Sequence, residues 1–381
     1  MIKPDSLIKM NISMNNTFLK TGILLLLVSM ISCKSMAEHK QSEVKRICDK
    51  VAQWQINNQP NVIHHDLDWT NGAWYKGLVE WAKITDNKSY FDFLINQGEK
   101  NQWKVYDRIY HADDICVSQM YIELYKKFGN KINLQPTFDR SDFIVTYPSQ
   151  APLQKTDCKG KDERWSWSDA LFMAPPVYAA LYTMTKKEKY LQYMESEFKI
   201  CTDSLFDKKE KLYFRDNARI NLVEANGAKQ FWARGNGWVF AGIPIILDNL
   251  PANYKNRSYY ENIFKEMAIS VLRTQDKEGS WHASLLDPKS YPMPENSASA
   301  FFCYGMAWGI RNGLLDEKKY KPATGKAWKT LTKYVSDEGR LGYIQPVGNA
   351  PKIVDENSTD VYGVGAFLLA GTEMYKMYGF K

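Results

Sequence analysis

The feature that most restricts the fold of this chain is a two-helix pattern that recurs along it. In each copy, a segment rich in small and aromatic residues is followed by a polar turn and then by a more charged segment led by tyrosine. The four clearest copies begin at residues 72, 169, 235 and 299, and their second segments carry Tyr90, Tyr190, Tyr259 and Tyr320. Small residues let inner helices approach closely, and charged residues tolerate solvent outside. The repeat therefore predicts helix pairs in two layers.

Hydrophobic periodicity extends this pattern along the chain after residue 42. Runs of alternating β-branched residues are scarce, so we predict an all-α fold. The predicted helices cover residues 43–58, 72–85, 89–101, 113–128, 138–148, 169–185, 188–202, 236–250, 257–275, 297–313, 318–336 and 360–378. Six pairs would close into a double ring, an (α/α)6 barrel, whereas an open solenoid would show the same periodicity. Closure is favoured because residues 361–371 are small or apolar on every side, and the last helix of a solenoid needs a polar face.

Three stretches should interrupt the helices. Residues 203–234 are expected to hold a short strand or loop near residues 211–216, and the prolines in 276–296 make that stretch irregular. Pro175 and Pro176 are expected to bend or delay the helix that follows Asp169. This carboxylate would then lie in a loop or a first helical turn.

Residues 1–33 are interpreted as an export signal. The apolar run 22–31 is too short to span a bilayer comfortably, and it ends at Ser32 and Cys33. The segment resembles a bacterial lipoprotein signal, with Cys33 as the lipidated first residue of the mature chain and residues 1–13 as an upstream start-site extension. A plain secretory signal with an incidental cysteine is the alternative. We therefore expect an exported lipoprotein, held on the periplasmic side or the outer membrane of a Gram-negative bacterium only by its lipid, with residues 34–381 as a single domain.

Charge, cysteine and histidine content exclude other classes of site and partner. The net charge of +7 comes partly from lysine-rich turns and not from a basic stripe, so no nucleic-acid partner is predicted. The cysteines after Cys33 are irregularly spaced and the five histidines are scattered, so we predict mostly buried thiols and no metal site. The 12 Trp and 23 Tyr stand often beside polar residues, as sugar-binding surfaces require.

Four clusters of polar and aromatic residues fall at the starts of predicted inner helices. They are residues 69–74 with Trp74, residues 111–114 with Asp113, residues 167–169 with Trp167 and Asp169, and residues 232–238 with Trp232, Arg234 and Trp238. A closed ring would gather them in one cavity. Two carboxylates facing a sugar pocket indicate glycosidic chemistry, and a guanidinium indicates an anionic sugar because its planar fork binds a carboxylate through two hydrogen bonds.

Each of these residues also has a purely structural interpretation. Asp169 and Asp113 could cap helices, Arg234 could form an internal salt bridge, and Trp238 could belong to the core. Against the capping interpretation, Asp169 follows two tryptophans and precedes an apolar run. An acid enclosed in this way loses solvation, which favours its protonated form, the form that a general acid needs.

Five segments carry a resemblance to a known family. Residues 113–115, 167–173, 232–238, 295–302 and 362–370 resemble the signature segments of the unsaturated uronyl hydrolases, glycoside hydrolase families 88 and 105. The resemblance spans essentially the whole mature chain, and the sequence Trp-Ala-Arg-Gly-Asn-Gly-Trp at residues 232–238 is its most specific part.

The resemblance implies an (α/α)6 barrel that acts downstream of a polysaccharide lyase. Such an enzyme removes a 4,5-unsaturated uronic acid from the non-reducing end of anionic oligosaccharides, without a cofactor. By match to the motifs, Asp169 would be the general acid and base and Asp113 the second carboxylate, while the subsite of the unsaturated sugar would be lined by Trp167, Arg234 and Trp238. Because the C4=C5 bond is an enol ether, Asp169 could protonate C4 and water could then add at C5.

One position departs from the family pattern. Many relatives carry a histidine in the segment that here reads Leu-Tyr-Phe-Arg-Asp at residues 212–216, and Arg215 replaces it. The added cation suggests a more anionic substrate or a different way of binding the uronate. We predict ulvan-type glucuronyl-rhamnose fragments as substrates, with rhamnogalacturonan or arabinogalactan fragments as the alternative. A non-catalytic glycan-binding lipoprotein stays open, as does a sugar epimerase, for which His111 and His282 are the candidate proton carriers.

Overall fold

The computed structural model describes residues 37–153 and 163–379, and Cys33 and Cys158 lie outside these ranges. The described chain is mostly helical and contains one two-stranded antiparallel pairing, β1 (Phe206–Asp207) with β2 (Leu212–Tyr213). Its helices are α1 (37–58), α2 (Trp69–Thr85), α3 (Lys88–Lys100), α4 (Ser118–Phe128), α5 (Gln135–Thr146), α6 (Ala170–Met173), α7 (Pro175–Thr185), α8 (Glu188–Leu205), α9 (Ala233–Asn249), α10 (Arg257–Thr274), α11 (Asn296–Arg311), α12 (Glu317–Lys333) and α13 (Val361–Gly379).

The helices form two concentric rings. Helices α2, α4, α7, α9, α11 and α13 make the inner ring, in which each packs against the next and α13 packs against α2. Closure depends on glycine, because a Cβ atom at Gly365 of α13 would collide with the carbonyl oxygen of Ala73 in α2, and one at Gly77 would collide with Gly365. The (α/α)6 barrel is therefore confirmed, and the open solenoid is excluded.

Burial follows the two layers as the repeat predicts. In α13, every residue from Val361 to Met374 is buried, and α9 and α11 are buried over most of their length. Outer helices such as α3 and α12 bury one stripe and expose the rest. The free cysteines of the described ranges, Cys48, Cys116, Cys201 and Cys303, are all buried. No described helix has the length and apolar character needed to cross a membrane.

The predicted interruptions are also present. Pro175 begins α7, and only Ala174 separates it from the end of α6. Asp169 therefore stands just before a separate four-residue helix. The short strand β2 lies within residues 211–216, and residues 276–295 contain no helix. The predicted helix 113–128 begins later than expected, because residues Ala112–Ile115 form a 3-10 turn ahead of α4.

The inner helices run in the same direction, since each of those before α13 is followed by an outer helix that returns the chain to the start of the next. Their N-terminal ends meet at one end of the barrel, which we call the mouth, where Asp169 lies against Gly235 and Trp69 packs on Tyr362. Their C-terminal ends meet at the other end, the base, around a charged cavity of about 260 Å³.

Candidate active site

Asp169 lies at the mouth, immediately before α6. The residue is 9 % exposed, and its carboxylate makes no helix-capping hydrogen bond, so the capping interpretation is wrong. The Ser168 hydroxyl donates to Oδ1 at 2.9 Å, and Nε of Arg215 lies 3.9 Å from Oδ2. Burial raises the pKa of Asp169, although Arg215, the Ser168 hydrogen bond and Arg234 act in the opposite direction. The carboxyl group is thus placed to retain a proton.

Asp113 and Asp114 are neighbours in sequence but differ in their contacts. Asp114 is buried against Arg108, whose Nη2 lies 2.5 Å from Oδ1 and whose backbone N–H donates to Oδ2 at 2.6 Å. Asp113 has a buried Oδ1 with no hydrogen-bond partner among the described residues, while its Oδ2 lies 3.6 Å from Nδ1 of His111. His111, and neither aspartate, occupies the cap position of this turn. Asp113 is therefore the carboxylate left available to a ligand.

The two available carboxylates influence each other. Burial raises the pKa of Asp113 to about 6, His111 and Arg108 oppose the rise, and the negative charge of Asp169 adds to it. Arg215 interacts electrostatically with both Asp113 and Asp169. The structure therefore brings Asp113, Asp169 and Arg215 close together at the mouth, a group of side chains that we call the pocket.

Local backbone contacts explain how Arg215 reaches this pocket. It follows β2, and the side-chain amide of Asn236 in α9 fixes that strand by donating to the Tyr213 carbonyl at 3.0 Å and accepting from its N–H at 2.8 Å. The Ser168 N–H donates to the Arg215 carbonyl at 2.8 Å. Asp216 binds Nη1 at 2.7 Å, while Nε is buried with no hydrogen-bond partner among the described residues. The guanidinium is anchored by Asp216 on one side, and on the side of Asp169 it makes an ion contact but no hydrogen bond.

Arg234 has a different environment from the one predicted. It is fully buried, with its guanidinium between the rings of Trp232 at 4.4 Å and Tyr362 at 4.9 Å. Nη1 donates to the Gln345 carbonyl and to the Tyr362 hydroxyl, and Nη2 donates to the Pro346 carbonyl at 3.1 Å. These acceptors are neutral, so the group forms no internal salt bridge. They occupy Nη1 and one N–H of Nη2, whereas Nε is buried with no hydrogen-bond partner among the described residues.

Trp74 and Trp238, predicted to contact substrate, have no exposed surface. Trp238 packs against Phe172 at 4.8 Å and Phe301 at 4.4 Å between ring centroids, which is the core position that the structural interpretation gave it. Both tryptophans therefore belong to the buried core of the inner ring, in α2 and α9.

The other tryptophans lie nearer the pocket. Trp167 is 2 % exposed, and its ring lies 4.8 Å from that of His111. Trp232 donates from Nε1 to Oε1 of Gln345 at 3.1 Å. Trp69, from the first cluster, is partly exposed at the start of α2 and packs on Tyr362. Trp69 is therefore the indole of that cluster that a sugar can reach.

Gln345 is a site residue that the sequence did not indicate. Its carbonyl and amide bind Arg234, Tyr362 and Trp232, and its N–H donates to Glu295, which also caps α11. Gln345 lies in an irregular segment without a motif, so no periodicity or spacing marked it. Within the described ranges, no three His, Cys, Asp or Glu side chains are placed to hold a metal ion.

Comparison with known proteins shows the family of the chain. The family model of Glycosyl Hydrolase Family 88 matches residues 47–378. An unsaturated 3S-rhamnoglycuronyl hydrolase of Formosa agariphila is 39 % identical over 96 % of this chain and 100 % of its own length. A family 88 structure from Bacteroides vulgatus superposes with a TM-score of 0.78 at 32 % identity, covering 88 % of this chain and 99 % of its own.

A second solved structure has a different name. It is a protein named polysaccharide lyase, which superposes with a TM-score of 0.81 at 32 % identity and covers 88 % of this chain and 97 % of its own. The family match extends over most of the chain, including both carboxylate segments and the residues 232–238. The chain therefore belongs to Glycosyl Hydrolase Family 88 and is a hydrolase of glycosidic bonds.

Proposed function

We propose that the protein removes a 4,5-unsaturated uronic acid, glucuronyl in type, from the non-reducing end of oligosaccharides released by a polysaccharide lyase. The observation that carries this proposal is the pocket shared by Asp113, Asp169 and Arg215, in which burial keeps two acids short of partners beside one cation. A proton donor, an anion and a guanidinium are the groups that hydration of an unsaturated uronate needs.

Asp169 supplies the proton in the proposed mechanism. Its O–H bond breaks as the π electrons of C4=C5 form a C4–H bond, which leaves positive charge shared by C5 and the ring oxygen. Water then forms a bond to C5 and gives a proton to the Asp169 carboxylate, which restores the acid. The resulting hemiketal opens by cleavage of the bond between C5 and the ring oxygen. The hemiacetal left at C1 then releases the aglycone as an alcohol.

Asp113 acts as an anion and hydrogen-bond acceptor in this scheme. Its Oδ1 has no protein partner within the described ranges and can accept from a sugar hydroxyl. A negative charge nearby also favours the protonated form of Asp169 until the substrate takes the proton. His111 and Trp167 form the adjacent wall, and Trp69 offers an aromatic face for stacking.

The substrate is proposed to be an ulvan-type glucuronyl-rhamnose fragment. The Formosa agariphila relative is named for a rhamnoglycuronyl substrate with a 3S designation, and Arg215 adds a cation where a more anionic ligand would bind. We assign the uronate carboxylate to Nε of Arg215, which is buried without a protein acceptor among the described residues. Arg234 instead fixes the pocket wall through Gln345 and Pro346.

The test is an ultraviolet assay on a panel of lyase-generated oligosaccharides. A hydrolase of this kind destroys the conjugated double bond, so absorbance should fall as product sugar appears, fastest on glucuronyl-rhamnose fragments. A lyase would create the double bond and make absorbance rise on intact polysaccharide, so the same assay separates the two activities. No loss of absorbance on any member of the panel would refute the proposal.

We also propose that the protein is a lipoprotein anchored through Cys33, on the periplasmic side or in the outer membrane. The support is the apolar run and the Ser32-Cys33 junction of the sequence. Mass spectrometry of the membrane-extracted protein should find a diacylglyceryl group on an N-terminal Cys33, and a Cys33→Ser variant should leave the membrane fraction. A wild-type protein that is cleaved elsewhere and carries no lipid would refute this anchor.

A further inference from the structure

A second groove lies at the rim of the mouth, apart from the carboxylate pocket. It has a volume of about 480 Å³. The end of α1, the segment before α2 and the segments at 346–347 and 359–361 form its walls. The side chains that matter for its chemistry are Trp54, Gln55, Asn61, His64, Thr359 and Asp360. None of them is used in the reaction described above.

One polar side chain in this groove lacks a protein partner. The Thr359 hydroxyl is buried and has no hydrogen-bond partner in the described ranges. Gln55, which is 3 % exposed, places a second polar group in the lining of the same groove. An unsatisfied buried polar group is costly and therefore rare, so the Thr359 hydroxyl beside this amide points to a ligand with hydroxyl groups.

The rest of the lining suits a sugar ring. Trp54 presents a partly exposed indole, and Asn61 adds an exposed amide. His64 and Asp360 form an ion pair with Nε2 3.1 Å from Oδ1, so the charged groups of the groove largely neutralise each other. An aromatic face beside amides and hydroxyls binds the apolar face and the hydroxyls of a saccharide. Because the charges of His64 and Asp360 largely cancel, a neutral sugar fits the groove better than a uronate does.

One segment of chain separates the groove from the pocket. The Pro346 carbonyl accepts from Arg234 on the inner side, while Pro346 and Val347 line the groove on the outer side. Val347 is 47 % exposed, which leaves an apolar ridge between the two. We propose that the groove is a second saccharide-binding site, which takes a neutral sugar from the reducing-end part of a long substrate. The identity of that substrate rests on the proposed function.

Variants of three groove residues test this site. Gln55→Leu and Thr359→Val are near-isosteric and remove only the hydrogen-bonding groups. Trp54→Ala removes the aromatic ring and is compared with Trp54→Phe, which keeps an aromatic face. The wild-type kcat/KM should rise with oligosaccharide length. Each of the first three variants should lower kcat/KM about tenfold on long substrates through KM, with no change on the unsaturated disaccharide. Trp54→Phe and Ile353→Ala, an exposed control outside the groove, should behave as wild type. Variants whose kcat/KM still rises with oligosaccharide length as much as that of wild type would overturn the proposal.

A binding experiment separates this site from the activity. Saturated rhamnose-containing oligosaccharides lack the double bond, so the enzyme cannot turn them over, and their binding is measured by titration calorimetry. Wild type should bind them about tenfold more tightly than Gln55→Leu does. That result would support the groove even if every unsaturated substrate failed in the ultraviolet assay. Equal binding by wild type and Gln55→Leu would overturn it. Binding that an unsaturated disaccharide does not displace would show that a separate chain can occupy the groove too.

Discussion

Two pairs of buried carboxylates, Glu80 with Glu123 at the base and Asp113 with Asp169 at the mouth, have pKa values shifted in opposite directions. At the base, Nζ of Lys76 lies 2.5 Å from Glu80 and 3.9 Å from Glu123, and Lys83 contacts both acids. Burial alone would raise the pKa of Glu80 and Glu123, but the ammonium groups of these lysines lower it. Glu80 and Glu123 are therefore held ionised by nearby cations, whereas burial raises the pKa of Asp248 in the same cavity.

At the mouth, burial raises the pKa of the carboxyl groups by more than the nearby cations lower it. The pKa of Asp169 is raised even with Arg215 nearby, and that of Asp113 reaches about 6. An acid with a full set of partners stabilises the fold, whereas an acid short of partners keeps a proton available for chemistry. The comparison indicates that direct contact with ammonium groups, more than burial itself, separates Glu80 and Glu123 from the carboxylates whose pKa burial raises.

The largest effect is expected for Asp169→Asn. The amide cannot release a proton to C4, so kcat should fall by about 10³–10⁴-fold. The melting temperature should not fall, because the variant removes a carboxyl group that no cation fully compensates. The control at the base is Glu80→Gln, which should lose stability and keep kcat. Steady-state kinetics with differential scanning fluorimetry measures both, and a Glu80→Gln variant that lost turnover as Asp169→Asn does would break the comparison.

The next effect concerns the base. Glu123→Gln leaves Lys76 and Lys83 short of an anion, and breaking a buried ion pair costs about 3–5 kcal/mol. The free energy of unfolding in urea should fall by that amount. Glu317→Gln, at an exposed pair on α12, should change it by less than about 1 kcal/mol. If the two variants were equally stable, the ion pairs at the base would contribute little to the free energy of unfolding.

A smaller effect, which depends on pH, is expected for Asp113→Asn. The folded pKa of Asp113 is about 6 against an ordinary 3.8, so the folded state binds more protons between these values. Wild-type stability should therefore fall as pH rises through this range and stay lower above it. The amide does not ionise, so the variant should gain up to about 3 kcal/mol over wild type at pH 7 and little at pH 3.5. Unfolding curves across pH test this, and parallel curves for the two proteins would contradict it.

The smallest effect is expected for Arg215→Gln. Removing this cation takes away an influence that lowers the pKa of Asp169. The alkaline limb of the kcat/KM profile should move to higher pH, because the acid stays protonated to higher pH. KM should also rise on anionic substrates. Arg215→Lys keeps the charge and should hold the limb in place; a limb that moved equally in both variants would rule out the electrostatic explanation.

The barrel could be predicted because the residues of the inner and outer helices differ in local composition. Small and aromatic residues mark the inner helices, and the small, apolar run at 361–371 favours the closure that the Gly77–Gly365 contact makes. Asp169 and Asp113 could be placed at the mouth because both precede inner helices. The prolines at 175 and 176 located the break that isolates Asp169.

The roles within the site were harder to predict, because they depend on contacts between distant segments. Arg234 meets Gln345 and Pro346 across more than a hundred residues, and the segment around Gln345 has no periodic pattern. Trp74 and Trp238 belong to the same motifs as residues that a sugar can contact. Only the structure, in which neither indole has exposed surface, shows that they are core. Residue type indicates which chemistry is available, but packing decides which atoms a ligand can touch.

The most direct test of the proton transfer from Asp169 is turnover of the unsaturated disaccharide in D₂O, followed by NMR. The proposed mechanism predicts one deuteron at C4 of every product sugar, in a single stereochemical position, with loss of the double bond at the same rate as release of the aglycone. Asp169→Asn should give neither. Product that keeps its C4=C5 bond, or a deuteron incorporated equally on both faces of C4, would contradict the claim that a fixed acid protonates this carbon.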